Sequence, residues 1–333
     1  MKKDTILGAS IGSTDFHYLQ KDYDEIKKLN LNTWNEVAWI GDELNSKIVM
    51  WTNSSPIDNV TLSSSDFINE NGDLISSNNI KISWLKETLA NIGRSNPSAP
   101  LEPFPDIIHN SGSLNIEKNK IASAWINIKI PRNAKPGIYN GSIEVTADEL
   151  EKAYTFDYSF EVLNLVQPLP RETNTQIEFW QHPYTIARYY KISKEDLFTE
   201  KHFKYLKDNL KEYRNMGGRG VIATIVHEAW NHQSYDSDPS MIKWRKNSYG
   251  TFEFDYSHFD KWIQLNIDLG ILYPEKGFGQ IKCYSIVPWN NRIQYFNEAT
   301  NKEEAINPNP GSDLWINIWT QFLTSFMSHL EEK

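Results

Sequence analysis

The stretch that decides the fold is SKEDLFTEKHFKYLKDNLKEYRNMGGRGVIATIV, residues 193–226. Its first part spaces apolar residues three and four apart, which predicts a helix over 193–218 that opens with a Ser193/Asp196 capping box. Two glycines, Gly217 and Gly218, are typical of a helix C-terminus. The apolar run GVIATIV (220–226) then predicts a buried strand. The apolar helix face is Phe203, Leu206, Leu210 and Tyr213.

The same alternation extends on both sides of this stretch. TQIEFW (175–180) and QIKCYSIV (280–287) predict strands, and further helices begin near Ser257 and Ser312. The apolar face of the helix that begins near Ser312 is Trp315, Ile318, Trp319, Phe322 and Phe326. Strands that alternate with helices indicate a parallel sheet with crossover helices. A complete (β/α)8 barrel takes ~250 residues, whereas residues 171–333 hold only about three such units. We therefore expect the N-terminal part of a TIM-type barrel over 171–333.

Residues 1–165 carry a different pattern, in which short strands are separated by turns. Turn signals such as Pro136-Gly137 favour an antiparallel β-sandwich. We expect mostly loops in the Ser- and Asn-rich segment 53–120 and a linker at LVQPLPRET (165–173). The predicted fold class is thus multidomain β and α/β. The predicted strands include SKIVMWT (46–52), IASAWINIKI (121–130), GIYNGSIEVTA (137–147) and YTFDYSFEVL (154–163).

The composition limits the classes of partner. The 333 residues carry a formal net charge of −9 with both signs interspersed, so we expect no nucleic-acid partner. No apolar run approaches the ~20 residues of a membrane span. Without a secretory signal we expect a cytoplasmic protein, or a periplasmic or secreted one whose signal was removed. The single Cys283 excludes an intrachain disulfide, and the oligomeric state stays open.

Polar and aromatic side chains follow each predicted strand of the second half, in WQHPY (180–184), HEAWNHQ (227–233) and PWNN (288–291). The C-terminal ends of parallel barrel strands form active sites. Indole faces suit sugar rings, and amides and imidazoles suit hydroxyls. A single such tryptophan is more often a core residue, but three clusters favour a carbohydrate site. The candidate substrate-binding residues are Trp180, Gln181, Arg188, His227, Trp230, Gln233, Tyr284, Trp289, Asn290 and Asn291.

Other kinds of chemistry have less support in the sequence. His227 and His232 are five residues apart, which fits no common metal-ligand spacing, so we expect no metal. The sequence also has no Gly-rich phosphate loop and no nucleophile elbow. Glu228 follows the second strand and is a candidate general acid, although an ordinary capping carboxylate fits it equally well.

Several long segments resemble the catalytic domain of glycoside hydrolase family 123. They are FWQHPYTIARYY, VIATIVHEAWNHQSYD, CYSIVPWNNRIQYFNEAT and FLTSFMSHLEEK, in that order. WNEVAWIGDELNSKIVMWT (34–52) and IPRNAKPGIYNGSIEV (130–145) resemble the β-sandwich that precedes that domain. The resemblance implies a retaining β-N-acetylgalactosaminidase that releases terminal GalNAc from glycans or glycosphingolipids and requires no metal and no cofactor. In that family the substrate's acetamido oxygen attacks its own anomeric carbon, an Asp orients the acetamido group, and the adjacent Glu is the general acid and base.

One part of the family pattern has no counterpart in this sequence. The adjacent Asp-Glu pair follows the helix that here ends in HLEEK, so the resemblance puts the pair beyond Lys333. We therefore expect no catalytic residue within the chain, and a truncated protein that is inactive alone. Two other interpretations stay open. One is a noncatalytic carbohydrate-binding protein, and the other is an ordinary glycosidase with Glu228 as its acid and another in-chain carboxylate as its nucleophile.

Overall fold

The computed structural model describes residues 6–91, 100–110, 112–173, 176–232, 236–273 and 279–333. The chain divides into two compact units, Met1–Gln167 and Pro168–Lys333. The boundary lies within the proline-containing stretch 165–173. None of the helices in the described ranges is both long and apolar enough to span a membrane.

The N-terminal unit is built from two β-sheets and one short helix. Its elements are β1 (Leu7–Gly12), α1 (Tyr23–Ile26), β2 (Thr33–Ile40), β3 (Glu43–Thr52), β4 (Ile57–Ser64), β5 (Phe67–Asn69), β6 (Leu74–Ile75), β7 (Ile80–Ala90), β8 (Glu102–His109), β9 (Leu114–Ile116), β10 (Ile121–Lys129), β11 (Gly137–Thr146) and β12 (Tyr154–Val166). One sheet has the order β1-β3-β10-β7-β8. The other has the order β2-β12-β11-β4-β9, with β5 paired to β11 and β6 to β5.

Both sheets bury side chains in one shared core. Along β12, Phe156, Tyr158, Phe160 and Val162 are buried while alternate residues face outward, because side chains on a strand alternate with a period of two. Ile48 of β3 joins the same core from the other sheet. The two sheets therefore form a β-sandwich. One pair departs from the expected antiparallel pattern, since β2 runs parallel to β12.

The segment 53–120 contains more strand than the sequence predicts. It holds β4 to β9 rather than mostly loops. Its Ser and Asn residues lower the apparent strand signal, but Ile57, Val60, Phe67 and Trp84 are still buried in or beside the core. The few buried positions, rather than the mean polarity of the segment, decide its structure.

The C-terminal unit mixes helices with short strands. Its elements are α2 (Pro183–Tyr189), α3 (Glu200–Asn215), β13 (Gly220–Thr224), β14 (Lys243–Lys246), β15 (Phe252–Asp255), α4 (Ser257–Asp268), β16 (Gln280–Tyr284), β17 (Ile293–Asn297), β18 (Lys302–Ile306) and α5 (Asp313–Glu332). β13 pairs in parallel with β16, from Gly220 opposite Gln280 to Thr224 opposite Tyr284. The predicted faces of α3 and α5 are buried, and the Ser312 hydroxyl caps α5 by accepting the N–H of Trp315.

β13 is the element to which the other parts of this unit are attached. All five of its residues are buried. The indole N–H of Trp262 in α4 donates to the carbonyl of Ile222 at 2.9 Å. The hydroxyl of Tyr213 in α3 accepts the N–H of Gly220 at 3.0 Å. Two further bonds lie at the C-terminal end of the strand, from Met241 N–H to Thr224 O at 2.7 Å and from Ile225 N–H to Tyr284 O at 2.7 Å.

Two boundaries near α3 differ from those expected. Residues 176–180 form no strand, and Thr175 lies outside the described residues. The backbone groups of β13 bond a side chain here in place of a paired strand. The Gln181 side-chain amide donates to Gly220 O at 3.0 Å and accepts the N–H of Ile222 at 2.9 Å. The helix begins at Glu200, because Phe198 has a positive φ of 53° and Thr199 is extended, which interrupts the helical backbone. The Ser193 hydroxyl bonds the Asp196 carboxylate in a preceding turn.

The loops after β13 and β16 build a small sheet that the sequence does not predict. Each loop forms a hairpin, and the hairpins join through parallel pairing of β14 with β17, giving the order β15-β14-β17-β18. Trp244 of β14 is buried and donates its indole N–H to Ile225 O at 2.8 Å. This sheet therefore stands beside the C-terminal end of β13.

A buried hydrogen bond crosses the sandwich, and it provides a test of the N-terminal fold. Ser46 of β3 and Tyr158 of β12 are each 1% exposed, with their hydroxyl oxygens 3.0 Å apart. Burial raises the pKa of Tyr158 to about 12. We expect Tyr158→Phe to lower the free energy of unfolding by about 1–3 kcal/mol, because the Ser46 hydroxyl loses its partner.

Urea denaturation followed by circular dichroism measures this change. The double variant Ser46→Ala/Tyr158→Phe should lose less than the sum of the single variants, because it leaves no hydroxyl unpaired. Additive losses would show that the bond does not couple the sheets.

Candidate functional site

An aromatic cluster occupies the C-terminal side of the parallel strands. The rings of Trp180 and Trp230 stack with centroids 5.2 Å apart at 21°. Tyr284, the last residue of β16, lies 5.2 Å from Trp230 and meets Trp180 edge-on at 6.0 Å. Three of the residues proposed from the sequence are thus brought together. The sequence folds this way because the 180, 230 and 284 positions each follow or end a strand-like segment.

The three tryptophans in this region, Trp180, Trp230 and Trp289, differ in access to solvent. Trp230 is 4% exposed and forms the base of the cluster, whereas Trp180 is 43% exposed and offers a ring face. Trp289 is 66% exposed, and its backbone N–H bonds Ala229 O at 3.3 Å, which holds the 288–291 loop against the 228–231 loop. Exposed indole next to buried indole gives an apolar platform that a sugar ring can cover.

Several predicted site residues use their polar groups inside the protein. The Gln181 amide is bonded to β13, as described above. Arg188 pairs with the buried Asp236, and this hydrogen bond holds the pKa of the Asp236 carboxyl below its usual range. Asn290 donates to Asn231 Oδ1 at 3.4 Å. The side chain of Asn291 donates to Pro308 O. Gln233 lies outside the described residues.

His227 lies in a separate cleft of about 320 Å³. The cleft is formed by the four-stranded sheet, with Trp244 and Tyr295 among its walls and Arg245 and Glu303 at its edge. Burial lowers the pKa of His227. The residues that line this cleft do not include Trp180, Trp230 or Tyr284, so His227 lies apart from the aromatic cluster.

The sequence analysis missed a set of side chains beneath the platform. Lys282 donates to Glu178 Oε2, and the Tyr284 hydroxyl donates to Glu178 Oε1 at 3.3 Å. One step lower, the Gln176 amide donates to the Gln280 amide oxygen at 2.6 Å. The segments QIEFW and QIKCY contain the signal, since their alternate residues meet pairwise at three successive levels. The uppermost level is the contact between Trp180 and Tyr284.

A second missed group is His182, which borders the platform. Its ring meets Trp230 edge-on at 5.8 Å, and its Nδ1 lies 3.6 Å from the carboxylate of the buried Asp238. Asp238 is bonded to Glu228 across the base of the loop. The N–H of Glu228 donates to Asp238 O at 2.9 Å, and the N–H of Asp238 donates to the Glu228 carboxylate at 3.1 Å. A sequence signal exists only for His182, which belongs to the WQHPY cluster.

Glu228 is a buried carboxylate with a structural position. It is 1% exposed, its Oε1 accepts the N–H of Asp238 at 3.1 Å, and its Oε2 accepts the N–H of His232 at 3.3 Å. Both oxygens therefore close the loop that carries Trp230. This arrangement favours the capping role over the role of general acid. Among the described residues, no group of three or more His, Cys, Asp or Glu side chains is arranged to hold a metal ion.

Two family profiles match the sequence. Residues 180–333 match the catalytic domain of glycoside hydrolase 123, and residues 11–147 match the glycoside hydrolase 123 N-terminal domain. The chain belongs to glycoside hydrolase family 123.

Solved structures extend this comparison. A family 123 glycoside hydrolase from Clostridium perfringens, studied for glycolipid glycan hydrolysis, is 97% identical with a TM-score of 0.94. The match covers 98% of this chain and 56% of that one, so this chain spans 56% of the length of its relative. A search of curated proteins found no match.

Other structural similarities are weak. AvmM, which catalyses macrocyclization in alchivemycin A biosynthesis, has 7% identity and a TM-score of 0.27, covering 49% of this chain and 92% of its own. The CooA pilin subunit of enterotoxigenic Escherichia coli has 11% identity and a TM-score of 0.26, covering 48% and 99%. These similarities carry no argument about fold or function.

The position of Glu228 leads to a testable expectation. We expect Glu228→Gln to lower the free energy of unfolding by about 1–3 kcal/mol, because the amide nitrogen would face a backbone N–H. Urea denaturation measures the loss, with Glu332→Gln on the exposed end of α5 as the control. A fully stable variant that has lost a glycosidase activity would instead identify Glu228 as the acid.

The single cysteine provides a second test, of the packing around β16. Burial raises the pKa of Cys283 to about 11, so at pH 8 the thiol is almost wholly protonated. Because the thiolate is the reactive form, we expect Cys283 to react with an aromatic disulfide reagent at least about tenfold more slowly in the native chain than in guanidinium chloride. Equal rates would mean that β16 is open to solvent.

Proposed function

We propose that this chain supplies the sugar-binding part of a retaining, substrate-assisted β-N-acetylgalactosaminidase. Its substrate is the terminal β-linked GalNAc of glycans, including those of glycolipids. The main support for the proposal is the aromatic platform, in which Trp180 stacks on Trp230 and the ring of Tyr284 lies beside them. The platform lies at the C-terminal side of the parallel strands. Membership of family 123 and the glycolipid glycan chemistry of the Clostridium perfringens relative support the substrate class.

We also propose that the C-terminal unit is the first part of a (β/α)8 barrel. In such barrels the interior side chains form layers, and each layer comes from alternate strands. The pairs at 176 and 280, 178 and 282, and 180 and 284 fit three layers contributed by the segment 176–180, at the position of a first barrel strand, and by β16, at the position of the third. β13 lies between them as the second strand, which agrees with its parallel pairing to β16.

The catalytic pair of this mechanism is proposed to lie outside the 333 residues. Glu228 closes a loop, and Glu178 is bonded to Lys282 and Tyr284, so neither has a free carboxylate oxygen directed at the platform. An Asp-Glu pair at the end of the next strand would face the same platform, because strand ends converge at one face of a barrel. The acetamido group would then lie between the pair and the aromatic rings.

Removing the exposed indole tests the sugar site. We expect Trp180→Ala to weaken binding of N-acetylgalactosamine by about tenfold, which corresponds to about 1.4 kcal/mol, because the ring face that covers the sugar is lost. Titration with intrinsic tryptophan fluorescence measures the change. Trp39→Ala is a matched control, since Trp39 of β2 is 40% exposed. Equal affinity in wild type and Trp180→Ala would contradict the proposed platform.

Hydrolysis of an aryl β-N-acetylgalactosaminide separates a binding part from a complete enzyme. We expect no turnover by the 333-residue chain, while the Clostridium perfringens relative provides the positive control. Saturable sugar binding without turnover fits both the proposed role and a noncatalytic binding protein. Turnover restored by adding the remaining part of the relative would favour the enzyme, and turnover by the 333-residue chain alone would place the acid and base within it.

A further inference from the structure

The charged pair beneath the platform has no role in the mechanism proposed above. Side-chain exposure is 33% for Lys282 and 27% for Glu178, so both charges are partly removed from water. A partly buried ion pair is often close to neutral for stability, because desolvation offsets the attraction between the charges. Stability alone therefore gives a weak reason for a Glu and a Lys at this position, where barrels usually place Val, Ile or Leu.

The contacts of Glu178 suggest what the pair does. One carboxylate oxygen accepts from Lys282, and the other accepts from the hydroxyl of Tyr284 at 3.3 Å. A carboxylate accepts a charge-assisted hydrogen bond from a hydroxyl, so Glu178 holds the hydroxyl end of the tyrosine. The ring above it is then held edge-on to Trp180, at 64°, and 5.2 Å from Trp230.

Glu178 lies too low in the site to reach the sugar itself. It precedes Trp180 by two residues along an extended segment, which is roughly 7 Å. A carboxylate at that depth, with both oxygens bonded, acts through the residue above it.

We propose that Glu178, neutralised by Lys282, is a positioning residue that sets the orientation of Tyr284 in the sugar platform. The inference rests on the proposed function, because it treats the aromatic cluster as the binding surface. The Glu178–Lys282 pair would thereby set the distance between the Tyr284 ring and the two indole rings, and so the width of the sugar site. The ligand class is a neutral N-acetylhexosamine ring.

Three variants of the 333-residue chain test this. Glu178→Met/Lys282→Met removes both charges at similar volume and leaves no unpaired ion, so we expect it to fold. Tyr284→Phe keeps the ring and removes the hydroxyl. We expect each to weaken N-acetylgalactosamine binding by about threefold to tenfold, the effect of one lost hydrogen bond. The triple variant should bind as weakly as the double variant and no more weakly.

Two further measurements distinguish positioning from a loss of general stability. The near-ultraviolet circular dichroism of the coupled rings should change in the double variant, whereas adding the same two substitutions to Tyr284→Phe should change its spectrum no further. Lys282→Arg, which keeps the positive charge beside Glu178, should retain the wild-type affinity and spectrum. Glu161→Gln, at an exposed position of β12, is the matched control and should change neither.

Each outcome decides between the two proposals. Additive losses in the triple variant, or an unchanged spectrum and affinity in the double variant, would overturn the positioning role. If the wild-type chain binds no sugar but the spectrum of the double variant changes and those of Tyr284→Phe and the triple variant coincide, the positioning of the ring stands and the proposed sugar site fails.

Discussion

The C-terminal unit depends on the hydrogen-bonding capacity of one short strand. β13 has five residues and no exposed position, so each of its polar backbone groups needs a partner. The partners come from different parts of the chain. Gln181 and Tyr213 bond its first residues, Trp262 bonds its middle, and Met241 bonds its last residue. Two helices, α3 and α4, and the segments around Gln181 and Met241 are therefore located by the same few peptide groups.

The positions of the three platform rings depend on β13. The loop that leaves β13 carries Trp230 and is closed at its base by Glu228 and Asp238. Trp180 precedes Gln181, which is bonded to β13, and Tyr284 ends β16, which is paired with it. The three platform rings are thus each within a few residues of a backbone contact to β13. The N-terminal unit has its own core and its own cross-sheet bond, and its fold is explained without the site.

The sequence is sufficient for the features that depend on long apolar patterns. The buried faces of α3 and α5 and the cap at Ser312 are present as predicted. The two hairpins are missed because strands such as KWRK are short and charged, and pair only with each other. Within the site, the aromatic residues come together, whereas the amides of Gln181 and Asn291 bond the backbone. Residue type alone cannot distinguish an amide that binds a ligand from one that satisfies a peptide group.

The pairing of β14 with β17 has a consequence for how such a site can diversify. The two strands belong to different loops, yet they meet in parallel through Arg245 opposite Phe296 and Lys246 opposite Asn297. Shortening either loop would leave the other hairpin with an unpaired edge, which invites association with other chains. Grafting one of these loops from another protein would thus fail unless the second came with it. The loops after β13 and β16 therefore have to change together, and new substrate preferences would arise by changes within both.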